Sequence, residues 1–282
     1  MQKKKKKLIK LLLFLMLLSL ISCTCLFRSV YVNPNSLKVR YKELKNTHIS
    51  PDIQEFSILY FTDLEYGSFQ NEKRTKKVFE QIYHLDPDVL IFGGDLWEKN
   101  YNPSDSEKKE MIQWLKNIQA PLGKFAVLGE QDRYSKERLR LIQSTYKKSE
   151  IEILNNSNHF ISDGNGKGIH LIGLNSPPNW KKALSNISSK DFNMVVCHAP
   201  DLLIDKHLET SPISYALSGN SHGTQISFPI KGGYKKWDGA EQLDRKNGQN
   251  LSFPYYISTG IGCTNINARF NATPELVFFI VS

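Results

Sequence analysis

The chain has 282 residues, of which 40% are hydrophobic and 23% are charged, a composition typical of a globular protein with one large core or two modest ones. The formal net charge is +9, but six of the lysines lie between Lys3 and Lys10, which leaves only +3 for the remainder. So small an excess argues against a groove that follows the phosphates of DNA, and we expect no nucleic-acid partner. The basic N-terminus is instead typical of a membrane topology signal.

Residues 1–27 are predicted to be a signal peptide or a membrane anchor. A lysine cluster followed by the apolar run Leu11–Leu18 keeps the N-terminus in the cytoplasm and delivers the following chain across the membrane. Two forms of attachment are open. In one, Leu20-Ile21-Ser22-Cys23 acts as a bacterial lipoprotein signal, so that Cys23 is lipidated and residues 1–22 are removed. In the other, an uncleaved helix from about Leu8 to Phe27 spans the bilayer, which requires about 20 residues. Either form predicts a location on the extracytoplasmic face of the cell membrane.

The cysteines of the body suggest no chemistry of their own. Cys197 and Cys263 lie in apolar, strand-like runs, and we predict buried free thiols rather than a bridge. There is no CxxC pair and no zinc-finger spacing.

Residues 28–55 are polar, contain Asn-Pro-Asn and Ser-Pro breaks, and are predicted to be a tether that leads into a single domain at 56–282. Strands and helices then alternate, which predicts an α/β body built on a central sheet. The predicted strands cover residues 56–61, 88–92, 124–128, 170–174, 193–197 and 214–217. The predicted helices cover residues 72–85, 106–119 and 135–144.

Five of these strands stop at a polar cluster. In open α/β sheets the carboxyl ends of the strands line one crevice, so clusters far apart in sequence are expected to meet there. Each cluster alone is ordinary turn chemistry, but five in series with carboxylates and imidazoles indicate a metal site. The clusters are Asp63-Leu64-Glu65, Gly94-Asp95, Gly129-Glu130-Gln131-Asp132, Cys197-His198-Ala199-Pro200 and Gly219-Asn220-Ser221-His222-Gly223.

In order and content these clusters resemble the calcineurin-like metallophosphoesterase superfamily, especially its small membrane-associated bacterial branch. That family carries DxH, GD, GNHD, a lone His followed by Pro, and GHxHG, each after a strand. The resemblance covers residues 56–282 and includes the tail from Gly260 to Glu275. It implies a four-layer α/β/β/α sandwich with mixed central sheets, two divalent metal ions and hydrolysis of a phosphate ester.

The motifs depart from the family pattern at four positions. Glu65 replaces the His of DxH, Glu130 and Gln131 replace the Asn and His of GNHD, and Asn220 replaces the first His of GHxHG. The resemblance implies one metal bound by Asp63, Glu65, Asp95 and His222, and a second bound by Asp95, Glu130, His198 and Asn220. Because every replacement at a ligand position is an oxygen donor, we predict a retuned site that favours Mn²⁺ or Mg²⁺ over zinc or iron.

The resemblance also assigns catalytic positions to Gln131 and Asp132. The family His at position 131 contacts the phosphate or protonates the leaving group, and the neighbouring Asp orients it. Gln131 can donate a hydrogen bond but cannot deliver a proton, so we expect a weakened enzyme. Asp132 has a second interpretation as the N-cap of the helix at 135–144. Arg269 has two, as a phosphate contact or as the ion-pair partner of a carboxylate such as Glu275.

Two functions therefore remain open. The first is metal-dependent hydrolysis of a phosphoester or pyrophosphate at the outer membrane face, on a phosphorylated small molecule or on a lipid-linked or cell-wall-linked phosphate. The second is a catalytically silent relative that acts as a binding module. We expect a monomer in either case.

Overall fold

A computed structural model describes residues 2–45, 56–162, 168–245 and 248–281. The part of the predicted tether at 46–55 lies outside the described residues. The chain begins with helix α1 (Gln2–Phe27), which is exposed along its whole length. A π-helical turn (Arg28–Val32) and a 3-10 turn (Asn33–Asn35) continue it. By length and composition this segment is apolar enough to cross a membrane.

The remaining elements alternate along the chain much as the sequence predicts. The strands are β1 (Lys38–Leu44), β2 (Ser57–Phe61), β3 (Val89–Phe92), β4 (Lys124–Ala126), β5 (Glu152–Ile153), β6 (Ser157–Ser162), β7 (Gly168–Leu174), β8 (Phe192–Cys197), β9 (Tyr215–Ser218), β10 (Ser227–Phe228), β11 (Gly232–Gly233), β12 (Tyr255–Ile257) and β13 (Glu275–Val281). The helices are α2 (Glu72–Leu85), α3 (Asp105–Lys116), α4 (Lys136–Lys148), α5 (Trp180–Ala183) and α6 (Lys206–Glu209). Single 3-10 turns lie at Gln131–Arg133, Pro200–Ile204 and His222–Thr224.

The strands form two mixed sheets. The first has the order β1-β13-β2-β3-β4-β5, and the second has the order β12-β9-β8-β7-β6. Strands β2 to β5 run parallel to one another, whereas β13 runs antiparallel to β2 and parallel to β1. In the second sheet β7, β8, β9 and β12 are parallel, and β6 is antiparallel to β7. Strands β10 and β11 form a separate hairpin.

Apolar side chains fill the space between the sheets and cover both outer faces. Ile58 and Tyr60 of β2 contact the second sheet, while Leu59 and Phe61 face α2, α3 and α4 on the other side. The second sheet has its own outer core, which includes Val195 and the helices α5 and α6. Burial on both faces accounts for the unbroken apolar runs of these strands. The predicted four-layer α/β/β/α sandwich is confirmed.

The helix starts follow local sequence. Asn71 accepts from the Arg74 N–H ahead of α2, and Ser104 forms a reciprocal capping box with Glu107 ahead of α3. Ser135 caps α4 by accepting from the Arg138 N–H. The second interpretation of Asp132, as the cap of this helix, is therefore wrong.

Part of the segment predicted as a tether belongs to the first sheet. Residues 38–44 form β1, which pairs with β13 from Lys38 opposite Glu275 to Leu44 opposite Val281. Val39 packs against the outer core of the first sheet, and Leu44 is buried. The alternation of lysine, arginine and glutamate with apolar residues made this edge strand look like a polar linker. Cys197 and Cys263 are buried free thiols, as predicted.

Candidate metal centre

The predicted clusters meet at one end of the sandwich, directly after the carboxyl ends of β2, β3, β4, β8 and β9. Several of the residues there have left-handed backbone conformations, with φ of 53° at Asp63, 46° at Glu65 and 59° at Asp95. The same holds for Asn220 and His222, with φ of 59° and 48°. Such conformations are uncommon for residues other than glycine and concentrate at functional sites. Here they turn the side chains back over the strand ends toward a common space.

His222 stands beside two of the carboxylates. Its Nε2 atom lies 3.6 Å from Asp63 Oδ1 and 3.5 Å from Glu65 Oε1. All three side chains are buried. This group contains three of the four residues that the family resemblance gives to one metal.

His198 stands at the centre of the other group. Its Nε2 atom lies 3.2 Å from Asp95 Oδ2, 2.9 Å from Glu130 Oε2 and 3.7 Å from Asp63 Oδ1. Its Nδ1 atom is 2.7 Å from the Gly93 carbonyl oxygen, an acceptor that would fix the proton on Nδ1 and leave Nε2 as the ligand atom. Glu130 is half exposed, so this side of the centre is open to solvent.

Asn220 joins the two groups through its backbone. Its N–H lies 3.2 Å from both carboxylate oxygens of Asp63. Its side-chain amide donates to the Asp238 carbonyl oxygen at 2.7 Å, which directs the amide away from Asp63. The structure therefore brings together the side chains of six predicted metal-binding residues, and Asn220 joins them through its backbone N–H.

Gln131 is buried between the groups. Its backbone N–H donates to Asp95 Oδ1 at 3.0 Å, and its side-chain amide donates to Glu65 Oε1. Residue 131 thus contacts two of the candidate ligands directly.

Asp132 has a different environment from the one that the resemblance implies. Its carboxylate accepts three backbone N–H groups, from Asp95 at 2.9 Å, Leu96 at 3.1 Å and Gly129 at 3.0 Å. Asp132 is fully buried beneath the site. It ties the loop after β3 to the loop after β4 and so fixes the backbone of Asp95.

The buried charges perturb one another strongly. Burial alone would lower the pKa of His198, but the carboxylates of Asp95, Glu130 and Asp63 raise it well above 6.5. Burial alone would raise the pKa of Glu130, but the adjacent His198 imidazole lowers it to about 2. Burial raises the pKa of Asp63 and of Asp95, against the opposing influence of the histidines. Negative charge on these buried carboxylates is therefore costly unless protons or cations lie beside it.

The donor set fits divalent metal ions. Glu65 Oε2 and Asp95 Oδ2 are buried and have no hydrogen-bond partner among the described residues. A buried oxygen without a partner is costly, and a cation bound to it removes that cost. Ligand atoms of Asp63, Asp95 and His198 all lie within 4.8 Å of one another, a spacing compatible with a shared ion.

Comparison with known proteins gives the same family over most of the chain. YkuE of Bacillus subtilis, an uncharacterized metallophosphoesterase, is 25% identical over 256 residues, or 88% of this chain and 87% of that protein. YkoQ of the same organism, also an uncharacterized metallophosphoesterase, is 24% identical over 259 residues, or 87% of this chain and 91% of that protein. Over most of its length the chain is similar to these metallophosphoesterases.

Two further comparisons give more distant likenesses to this chain. The UDP-2,3-diacylglucosamine pyrophosphatase LpxG of Chlamydia muridarum is 23% identical over 305 residues, or 87% of this chain and 89% of that protein. The solved structure of the calcineurin-like phosphoesterase YfkN from Bacillus subtilis is 17% identical, with a TM-score of 0.40, over 74% of this chain and 82% of that chain. No family model matches the chain.

Clefts of about 330 Å³ and about 270 Å³ open beside the candidate metal centre. Glu130, Asn220 and Asp238 line both clefts and form the ridge between them. Lys235 adds a positive charge to the larger cleft, and Arg133 adds one to the smaller. A substrate bound at the candidate ligands can therefore extend into either cleft, and each cleft carries a cationic side chain.

Sequence reasoning missed the loop that carries Trp237 and Asp238. The Trp237 ring lies 5.4 Å from the His222 ring, centroid to centroid, and lines the larger cleft. Asp238 holds the Asn220 amide through its carbonyl oxygen. The only sequence signal was an isolated tryptophan in a polar loop, and it does not follow a strand.

Arg269 has neither of its predicted roles. It is fully buried and donates to the backbone carbonyls of Thr259, Gly262 and Ala272. Glu275 instead pairs with Arg40 and Arg245. Arg269 therefore stabilises the loop that covers Asp63 and makes no contact at the centre itself.

Proposed function

We propose that this metallophosphoesterase hydrolyses a phosphoester or pyrophosphate bond with two divalent cations at the extracytoplasmic face of a membrane. The observation that carries the proposal is the close approach of ligand atoms from Asp63, Asp95 and His198, which all lie within 4.8 Å of one another. The grouping of His222 with Glu65 and of His198 with Glu130 supports two adjacent ion positions. The family resemblance gives Asp95 to both ions, and Asp63 Oδ1 lies 3.7 Å from His198 Nε2 and 3.6 Å from His222 Nε2.

Bound divalent cations supply positive charge that stabilises a transferring phosphoryl group and activates water for attack on phosphorus. The protein's own contribution is to hold the ligand carboxylates in place. Asp132 and the Gln131 N–H hold Asp95, and the Asn220 N–H holds Asp63, so the carboxylates need little rearrangement when an anionic substrate arrives.

Gln131 limits the chemistry. Its amide can donate a hydrogen bond to a phosphate oxygen, but it has no proton to deliver to a leaving group at neutral pH. General acid catalysis typically contributes about 10²–10⁴-fold, so we expect weak activity on substrates with poor leaving groups. The rate of hydrolysis should be reduced less for pyrophosphates and activated esters.

The metal preference follows from the ligand chemistry. Four carboxylates, from Asp63, Glu65, Asp95 and Glu130, surround only two imidazoles. Oxygen-rich coordination favours Mn²⁺ or Mg²⁺ over zinc or iron. Metal analysis of untagged protein purified without chelator tests this, and stoichiometric zinc with no response to added Mn²⁺ would refute it.

The membrane location is supported by α1, which presents a long apolar surface with lysines at its N-terminal end. Either a retained helix or a lipid on Cys23 would hold the domain at the outer face. The similarity to LpxG, a UDP-2,3-diacylglucosamine pyrophosphatase, supports a lipid-linked phosphate as the substrate class.

A catalytically silent binding module is the second candidate. The bond from the Gln131 amide to Glu65 favours it, because a metal ligand that already accepts a hydrogen bond is less available to a cation. The two candidates make opposite predictions for a single substitution at Asp95.

The deciding experiment measures hydrolysis of bis-p-nitrophenyl phosphate and of a nucleoside diphosphate sugar with Mn²⁺ for the full chain and for Asp95→Asn. The enzyme proposal expects metal-dependent turnover that Asp95→Asn reduces by at least about 10²-fold, because Asn removes the charge at the shared ligand. Equal rates for the two proteins would leave only the binding module. Asp86→Asn, an exposed site at the far end of the sandwich, is the matched control.

A further inference from the structure

The N-terminal helix joins the domain at the same end of the sandwich as the metal centre. Strand β2 ends at Phe61, two residues before Asp63. Because β13 runs antiparallel to β2, its first residue, Glu275, lies at this end. Strand β1 runs parallel to β13, with Lys38 opposite Glu275, so the chain also enters β1 from this end. The segment between α1 and β1 is therefore next to the catalytic edge.

The junction between α1 and the domain is fixed by hydrogen bonds. The Arg269 N–H donates to the Ser29 carbonyl oxygen at 2.8 Å, and the Asn33 side-chain amide donates to the Arg269 carbonyl oxygen at 2.8 Å. Ser29 is buried, and the Arg269 side chain is held by three backbone carbonyls. The domain consequently has a defined orientation relative to the end of the helix.

The β10–β11 hairpin lies beside this junction. The Phe270 N–H donates to the Gln225 carbonyl oxygen, and the Ser227 N–H donates to the Phe270 carbonyl oxygen, both at 2.9 Å. Residues 29, 269–270 and 225–227 are thus backbone neighbours in succession. At about 4.8 Å for each such spacing, the base of the hairpin is roughly 10 Å from Ser29.

The hairpin presents apolar and basic side chains to the outside. Ile230 at its tip has a relative exposure of 102%, and Phe228 is 45% exposed. Lys231, Lys235 and Lys236 follow within six residues and are exposed. A bare isoleucine at a loop tip, next to aromatic and lysine side chains, is typical of a contact with the interface of an anionic bilayer.

We propose that the hairpin from Ser227 to Lys236 rests on the bilayer as a second membrane contact, so that the metal centre faces the membrane surface. Ile230 and Phe228 enter the headgroup region, and the lysines contact anionic lipid headgroups. The proposal rests on the membrane attachment stated above, and it holds for both forms, because Cys23 and Phe27 each lie only a few residues before Ser29.

This orientation specifies how a substrate reaches the centre. Lys235 and Trp237 continue the hairpin and line the larger cleft, so the cleft opens on the side of the bilayer. A phosphate attached to a lipid can reach such a cleft while its acyl chains stay in the membrane. The substrate class is therefore a lipid whose phosphate or pyrophosphate stands at the headgroup level.

The test measures membrane depth with spin labels on the full chain in phosphatidylcholine vesicles that contain phosphatidylglycerol. The test uses the uncleaved chain, in which helix α1 supplies the attachment, so Cys23→Ser and Cys25→Ser can remove the exposed thiols while buried Cys197 and Cys263 stay unlabelled. Ile230→Cys places the label at the hairpin tip. Leu122→Cys is the control, because Leu122 is an exposed apolar residue, 41% accessible, in the loop before β4 at the opposite end.

We expect collisions of the label at position 230 with a water-soluble nickel complex to fall several-fold relative to position 122, and collisions with oxygen to rise. Equal accessibility of positions 230 and 122 to the nickel complex would overturn the proposal. Hydrolysis of bis-p-nitrophenyl phosphate by the same labelled proteins tests the proposed activity separately. An inactive protein with a membrane-inserted position 230 would refute the enzyme and leave the second membrane contact standing.

Discussion

Substitution of Asp132 tests whether this residue positions the candidate ligands or takes part in proton transfer. The family resemblance gives Asp132 a catalytic place, whereas its carboxylate contacts only backbone N–H groups of Asp95, Leu96 and Gly129. Asp132→Asn keeps the shape of the side chain and removes one acceptor oxygen together with the charge. The two roles then predict different losses.

The cost can be worked from the three hydrogen bonds. Oδ2 of Asp132 accepts from Asp95 and Gly129, and Oδ1 accepts from Leu96. The single oxygen of Asn can keep the two bonds at Oδ2, which leaves the Leu96 N–H facing an amide NH₂ group. Loss of one charge-assisted hydrogen bond and of its buried acceptor costs about 2–3 kcal/mol. Asp132→Ala leaves all three donors unpaired and should cost more.

Urea unfolding measures the loss of stability, and titration of activity with Mn²⁺ measures the effect on the site. We expect Asp132→Asn to lower the free energy of unfolding and to raise the Mn²⁺ concentration needed for half-maximal activity, because Asp95 is less well held. Asp86→Asn is the control, since Asp86 is exposed and has a left-handed φ of 44° that Asn also tolerates. It should change stability by no more than about 0.5 kcal/mol.

A catalytic role for Asp132 would give the reverse pattern. Turnover at saturating Mn²⁺ would then fall by about 10²–10⁴-fold while the unfolding free energy stayed close to that of the parent chain. That result would refute the positioning role.

Two further predictions concern the leaving group and acid stability. Gln131→His should raise turnover of phenyl phosphate esters relative to p-nitrophenyl esters by up to about 10²-fold, since an imidazole can protonate the poorer leaving group; an unchanged ratio of the two rates contradicts this. Burial alone would raise the pKa of Glu275, but its bonds to Arg245, Thr259 and Arg40 hold it below 4.5. Glu275 should therefore stabilise the fold above pH 4.5, and this stabilisation should be lost as the pH falls from there toward the folded pKa. In thermal melts at a series of pH values, Glu275→Gln should reduce the loss of stability at acid pH. Parallel curves of stability against pH for the two proteins would count against the ion pairs.

The parts of the fold that could be predicted depend on local pattern. Helix α2 was predicted at 72–85 and lies at Glu72–Leu85, because its apolar period, its Asn71 cap and the Asp-Pro that follows all agree. The convergence of Asp63, Asp95 and His198 was predictable because parallel strands place their carboxyl ends at one edge.

Other features depend on contacts that no local pattern encodes. Strand β1 finds its partner 237 positions later, at Glu275, and its polar composition suits an edge. Trp237 and Asp238 reach the centre from a loop that does not follow a strand, so the strand pattern of the sequence does not predict it. The role of Asp132 was hidden for a similar reason, since its three donors belong to the backbone and leave no trace in side-chain identity.

The pairing of β1 with β13 also sets an order of assembly for the first sheet. The sheet needs its last strand before its edge strand can join, so residues 38–44 have no strand partner until Glu275–Val281 have been synthesised. Only the C-terminal strand brings β1, and with it the end of helix α1, against the domain.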